Sequence, residues 1–185
     1  MRPQKVQDEQ MLNGLMSVMR SKGYDGASLK ELSEATGLKK ASLYHRFEGG
    51  KKDMASAVLT YLESMVERSI YKVLVDENIS HSERLDTVLS SINDMYKGGL
   101  ETCMYRSLSL DSGISLFGDQ IKQGIDLWIN GFISFGMDKG MSKKEATQKA
   151  NQTFIDIQGS LVLSKSIGST QPFMNILNNI RIRYQ

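Results

Sequence analysis

Residues 28–52, SLKELSEATGLKKASLYHRFEGGKK, decide the reading of the whole chain. Ser28 and Glu31 have the spacing of a capping box, in which the serine hydroxyl accepts from the amide of residue 31 and the carboxylate reaches back to the amide of residue 28. A helix therefore starts here, turns Leu32 and Ala35 inward, and ends at Thr36-Gly37, where glycine adopts the positive φ of a tight turn at little cost. Leu38 and Leu43 anchor a second, short helix. With these turned inward, Lys39, Lys40, Ala41, Ser42, Tyr44 and His45 face outward, and Glu48-Gly49-Gly50-Lys51-Lys52 follows as a glycine-hinged basic step. Two amphipathic helices and a glycine turn also occur in ordinary bundles. A bundle helix, however, does not spend its open face on two lysines, a tyrosine and a histidine and then add a further basic pair. The pattern is that of a helix-turn-helix reader of double-stranded DNA.

The chemistry expected of these residues is phosphate positioning with limited base readout. Lysine ammoniums and helix N-terminal amides neutralise backbone charge, and Tyr44 and His45 donate to phosphate oxygens. Lys39 or Lys40 suits guanine acceptors, and Ala41 a thymine methyl. Ser28 and Lys51, at the starts of the flanking helices, complete the expected set of DNA contacts.

Outward from this stretch, 185 residues with 40% apolar and 24% charged side chains describe a globular chain able to build a core. The net charge of +2 is too small to argue for nucleic acid by itself, so the distribution of charge carries that reading. Pro3 and Pro172 alone interrupt a sequence in which apolar residues recur at spacings of three and four, so the fold is expected to be all-α. Leu12, Leu15, Met16 and Met19 form the stripe of a first helix over about 6–22, closed by a left-handed Gly23 with Tyr24 folding back onto it. Further helices are expected over about 51–75, 80–97, 101–110, 115–139, 142–166 and 171–183. The first ten residues lack the apolar stretch of a signal peptide, and no apolar run approaches the roughly 20 residues needed to cross a bilayer, so a cytoplasmic protein with no membrane partner is expected.

The stretch 115–139 carries Phe117, Ile121, Ile125, Trp128, Phe132 and Phe135 at core spacing. In 142–166 the inward set Ala146, Ala150, Phe154, Ile157 and Leu161 is joined by Ile155 and Val162 on a second side, which implies two packing partners. The last helix repeats this with Phe173, Ile176, Leu177 and Ile180. A homodimer is therefore expected, with Ile155, Ile157, Leu161, Val162, Phe173, Ile176, Leu177 and Ile180 at its interface. Cys103 has no second cysteine or CxxC beside it and reads as a buried thiol, with a redox sensor as the alternative; His81 reads as a loop residue. Two distant histidines and one cysteine provide no metal-ligand spacing and no nucleophile-base pair, so neither catalysis nor any metal or cofactor is expected.

The run from about Asp8 to Ala57 resembles the DNA-binding domain of TetR-family transcriptional regulators. The matching features are a first helix ending in Gly23-Tyr24, a Ser28-started second helix, the turn Ala35-Thr36-Gly37, the third helix ending Leu43-Tyr44-His45-Arg46-Phe47, and a lysine, Lys51, opening the fourth. Glu48-Gly49-Gly50-Lys51, Cys103 and the helix around Gln158-Gly159 are similar to the LmrA/YxaF-type branch associated with drug-efflux control, although Thr102 and Gln158 stand where that branch more often has Gly and Glu. The resemblance implies a DNA-reading domain over residues 1–50 and a ligand-sensing, dimerising domain over 51–185. It implies a homodimeric repressor that leaves a palindromic operator when a small apolar or aromatic effector binds, with Met65, Met95, Cys103, Phe117, Trp128, Phe132 and Phe154 as candidate cavity residues. The rival readings are a regulator without an inducer and a helical interaction module that does not touch DNA.

Overall fold

The computed structural model describes residues 8–185, so Pro3 and the start of the helix expected from residue 6 lie outside the described residues. Ten α-helices follow one another: α1 (Asp8–Gly26), α2 (Leu29–Thr36), α3 (Lys40–Arg46), α4 (Lys51–Val66), α5 (Lys72–Leu74), α6 (His81–Met95), α7 (Met104–Leu108), α8 (Ser112–Asp138), α9 (Lys143–Ile167) and α10 (Gln171–Tyr184). No β-strand occurs among the described residues, and none of their helices is long and apolar enough to cross a membrane. The all-α expectation holds. Helix 101–110 shrinks to Met104–Leu108, and the stretch expected over 51–75 is α-helical only in part, because Glu67–Tyr71 forms a π-helical turn between α4 and α5.

The chain packs as two compact units. One comprises the residues up to Leu62 together with Met104–Lys122; the other comprises Glu63–Cys103 and Gln123–Gln185. Packing thus divides the chain elsewhere than at residue 50. The start of α4, α7 and the first turns of α8 belong with the N-terminal helices, and α4 and α8 each run from one unit into the other.

In the first unit, hereafter the head, Met11, Leu15, Met16 and Met19 of α1 are buried, so Met11 rather than Leu12 completes the inward stripe. Gly23 takes φ 70° and ψ −177°, which breaks the helical path while hydrogen bonding continues to Gly26. Tyr24, expected against α1, lies edge-on to Phe117 of α8, ring centroids 5.1 Å apart. Ala35 is exposed rather than inward; Thr36 takes the buried position because its hydroxyl donates to the carbonyl of Leu32 (2.8 Å) and accepts from the amide of Leu38 (3.3 Å), bridging the turn. α1 and α2 meet closely at Gly14, where a Cβ would come within 2.6 Å of the carbonyl oxygen of Ala35.

In the second unit, hereafter the body, α8 and α9 form an antiparallel hairpin, in which a Cβ at Gly136 would lie 3.1 Å from that of Ala146 and Trp128 sits edge-on to Phe154 at 5.9 Å. α10 packs against α9, with Phe173, Leu177, Ile180 and Tyr184 buried. Tyr184 joins the rings of Phe132 (5.5 Å) and Phe135 (5.7 Å).

Replacing Gly14 by Ala tests the helix crossing. Helix propensity alone favours alanine by about 1 kcal/mol, whereas a clash with backbone must be relieved by moving a helix and costs about 1–3 kcal/mol. The second effect wins, and Gly14→Ala is expected to lower the urea midpoint.

Candidate nucleic-acid interface

The expected capping box is present. The hydroxyl of Ser28 accepts from the amide of Glu31 (3.2 Å) and donates to its carboxylate (2.7 Å), while that carboxylate accepts from the amide of Ser28 (3.1 Å). These bonds from Ser28 hold the Glu31 carboxyl below its ordinary pKa, with a lesser contribution from Lys22. Ser28 is exposed, but its hydroxyl is engaged in starting α2. Gly37 then adopts φ 66°, and its amide donates to Glu34, so the turn into α3 closes as expected.

α3 has seven residues and only Leu43 is buried, at 0% exposure. Around it Lys39, Lys40, Ala41, Ser42, Tyr44 and His45 are all exposed. No residue of the head neutralises Lys39, Lys40 or His45 among the described residues. Tyr44 is 46% exposed, and its ring flanks Gly50, whose φ of 66° favours glycine and where a Cβ would lie 3.2 Å from Tyr44 Cε1. The structure therefore gathers six of the eight sequence-derived contacts on one short helix and its first turn.

A helix this short is held from both ends. Arg46 donates to Asp8 in the first turn of α1 (2.8 Å) and approaches the sulfur of Met11 (3.3 Å). Beyond it, Asp53 accepts from the amide of Gly49 (2.7 Å), fixing the corner before α4. Neither residue was among the sequence candidates. The acid two residues after Lys51, close to two glycines, is the signal that points to Asp53, whereas the partner of Arg46 lies 38 residues away and leaves no local trace.

Lys51 is placed differently from expectation. Its ammonium donates to the carbonyls of Ala27 (3.2 Å) and Asp25 (3.4 Å) and lies 4.6 Å from the centre of the Tyr24 ring. It ties the start of α4 to the corner between α1 and α2, because those carbonyls have no helical amide to meet. Lys52 beside it is exposed. Asp25 in turn accepts from the amide (3.0 Å) and hydroxyl (2.7 Å) of Ser112 at the start of α8, and Ser107 of α7 donates to the carbonyl of Arg20 (2.7 Å). Ser56 and Gln120 add a further bond between α4 and α8 (3.1 Å).

The remaining candidates fall elsewhere. Phe117 belongs to the head, where Tyr24 lies edge-on to it. Met65, Met95, Cys103, Trp128, Phe132 and Phe154 lie in the body; Cys103, Trp128 and Phe132 are buried and the other three half-buried. Of the expected interface residues, Ile157, Leu161, Phe173, Leu177 and Ile180 are closed off within the chain's own core, because α10 and α9 pack on each other there. Ile155 and Val162 are exposed, and Ile176 half-exposed. His81 sits at the start of α6 rather than in a loop, with its Nε2 2.9 Å from Asp138, which also pairs with the buried Arg84.

Residues 12–58 match the family described as "Bacterial regulatory proteins, tetR family". Over 178 residues the chain is 22% identical to an uncharacterised HTH-type transcriptional regulator, YxaF of Bacillus subtilis (strain 168), covering 94% of this chain and 93% of that one. Among solved structures, a TetR transcriptional regulator from Legionella pneumophila superposes with a TM-score of 0.83 at 18% identity, covering 98% of this chain and 100% of the other. A cysteine mutant of the TetR family regulator CifR, solved with 26-bp double-strand operator DNA, superposes with a TM-score of 0.75 at 20% identity over the full length of both. Residues 12–58 of the head thus match the TetR family model, and the fold is that of solved TetR-type regulators.

The Asp25 contacts carry a pH dependence. The bonds from Ser112 chiefly, and the charge of Lys51 to a lesser degree, hold the Asp25 carboxyl below its ordinary pKa. A pKa depressed in the folded state means that the stabilisation is whole above the unfolded value of about 3.9 and is lost as pH falls through the folded value. Asp25→Asn is therefore expected to melt below the wild type at pH 7, with the two melting temperatures converging under strong acid.

Proposed function

We propose that this chain, TetR-type by its head and its fold, is a bacterial repressor that binds a palindromic operator as a homodimer and leaves it when a small apolar or aromatic effector occupies the body. Residues 1–50 serve as the reading part and 51–185 as the sensing and dimerising part, in the cytoplasm. The observation that carries the reading is α3: one buried leucine beneath six exposed residues that suit phosphates and base edges, two of them unneutralised lysines. Lys39 and Lys40 contribute charge, Tyr44 and His45 donate to phosphate oxygens, and Ala41 and Ser42 face base edges. Lys51 acts through the geometry of α4, and Ser28 through the start of α2.

An apolar face left open on α9 and α10 supports dimerisation. Ile155, Val162 and Leu163 are exposed along one side of α9 around Gly159, which has open space above it. Ile155 and Leu163 border a groove of about 510 Å³ that runs past Pro172, Asn175 and Ile176 of α10. The dimer face proposed here keeps Ile155, Val162 and Ile176 from the sequence reading and adds Gly159 and Leu163.

Selection from a random duplex pool tests the central claim. The wild type is expected to enrich a two-fold symmetric site, and Tyr44→Ala and Lys40→Ala to bind it about tenfold more weakly while remaining dimeric. Lys40→Ala should also lower the slope of log affinity against log salt by about one. Failure of the wild type to enrich any site would overturn the reading.

The dimer face has its own test in a pair of neighbouring residues. Val162→Arg is expected to sediment as a folded monomer, whereas Leu161→Asp, which buries an unpaired carboxylate, is expected to unfold the body. A dimeric Val162→Arg would place the interface elsewhere.

A further inference from the structure

The stretch ahead of α1, Met1-Arg2-Pro3-Gln4-Lys5-Val6-Gln7, carries two cations, two amide side chains and no acid. It holds no aromatic residue and a single branched aliphatic, Val6, which is little apolar surface to offer a core. A short basic segment beside a folded head has the composition of an arm that contacts nucleic acid. What such an arm can touch depends on where the head releases it.

The release point is fixed by α3 itself. Asp8, the first residue of α1, is exposed and accepts from the guanidinium of Arg46, the last residue of α3, at 2.8 Å. Arg46 also approaches the sulfur of the buried Met11 at 3.3 Å. The first turn of α1 is thus held against the C-terminal end of the helix assigned to the major groove. Both acids at this root are engaged, Asp8 by Arg46 and Glu9 by the hydroxyl of Tyr61 at 3.2 Å, which weakens their pull on Arg2 and Lys5.

Reach then selects the target. An extended chain spans about 3.3–3.6 Å per residue, so Lys5 reaches up to about 10 Å from Asp8 and Arg2 up to about 20 Å. The major groove of B-DNA is about 12 Å wide and the minor groove about 6 Å. Three residues therefore suffice to pass from the end of α3 to a bordering phosphate strand, and six to cross that strand into the next minor groove. Pro3 favours the extension, because it fixes its own φ and turns Arg2 before it away from helical conformations, so that less freedom is lost on binding. An arginine in the minor groove is favoured by the narrow, electronegative groove of A·T-rich pairs and opposed by the exocyclic amine of guanine.

We infer that Arg2 enters the minor groove beside each half-site and that Lys5 meets the phosphate strand between that groove and α3. The inference rests on the DNA-reading proposal and adds to it a second groove, with a base preference outside the α3 contacts. Sites are selected from a random duplex pool with the full chain, and the enriched duplex is remade with A·T, G·C or inosine·C pairs in its flanks. Inosine lacks the 2-amino group of guanine, so inosine·C presents the minor-groove face of A·T with the major-groove face of G·C. The wild type is expected to enrich A·T pairs beside a two-fold symmetric centre. It is expected to bind the inosine·C flank within about twofold of A·T and the G·C flank about tenfold more weakly. Arg2→Ala is expected to bind all three flanks alike, at the G·C affinity. Lys5→Ala is expected to weaken all three equally and to lower the slope of log affinity against log salt by about one for each subunit bound. Both variants are expected to keep the wild-type melting temperature. Indifferent flanks around a symmetric site, an inosine·C flank as weak as G·C, or a preference retained by Arg2→Ala would overturn the inference and leave the reading by α3 standing. Failure of the wild type to enrich any site sinks both.

Discussion

α3 keeps a single buried side chain, Leu43, beneath an otherwise open surface, and the rest of the head depends on holding so exposed a helix still. Seven residues do not form a stable helix in water, and Leu43 alone cannot fix a rotation. The head supplies the missing constraints at either end: Thr36 bridges the turn before α3, and Arg46 reaches back to Asp8 after it. Every other face of α3 is thereby left open. The apolar stripe of α1, the close crossing at Gly14 and the glycine corner at 49–50 all serve to hold the platform on which Leu43 sits.

The same head borrows from the middle of the chain. Asp25 takes both donors of Ser112 from 87 residues away, and Ser107 reaches Arg20 across the same separation. α8 then continues from this attachment into the body, where it carries Trp128, Phe132 and Phe135. One unbroken helix thus begins on the corner that positions α2 and ends among the aromatic side chains of the core.

The reading stretch was legible because its determinants are local. A capping box, a glycine with positive φ and a leucine spacing each depend on residues within four positions of one another, and all appear as the sequence indicates. Helix periodicity likewise revealed nearly every element. The partners were not legible. Lys51 looks like a free cation in a basic run, but the carbonyls it meets belong to a corner formed by other helices. Ile157 and Leu161 look like an outward seam, yet α10 folds over them, and only the three-dimensional arrangement shows that Ile155, Val162 and Leu163 on the neighbouring face remain uncovered. Phe117 and Trp128 share one helix and one periodicity, but the helix passes from head to body between them.

The π-helical turn at Glu67–Tyr71 has a counterpart in the spacing of the core. Met54, Val58, Leu62, Val66, Ile70 and Leu74 are all buried and succeed one another at strict intervals of four. On a 3.6-residue helix each such step drifts by about 40°, so five steps would carry the stripe about 200° around the axis. A turn bonded from i to i+5 winds more slowly and takes back part of that drift where Ile70 lies. Deleting a single residue there would restore ordinary helical bonding while throwing Ile70 and Leu74 out of phase with the four side chains before them. The wider turn is thus a phase correction written into the sequence as a period, and a chain shorter by one residue at this point would have the better backbone and the worse core.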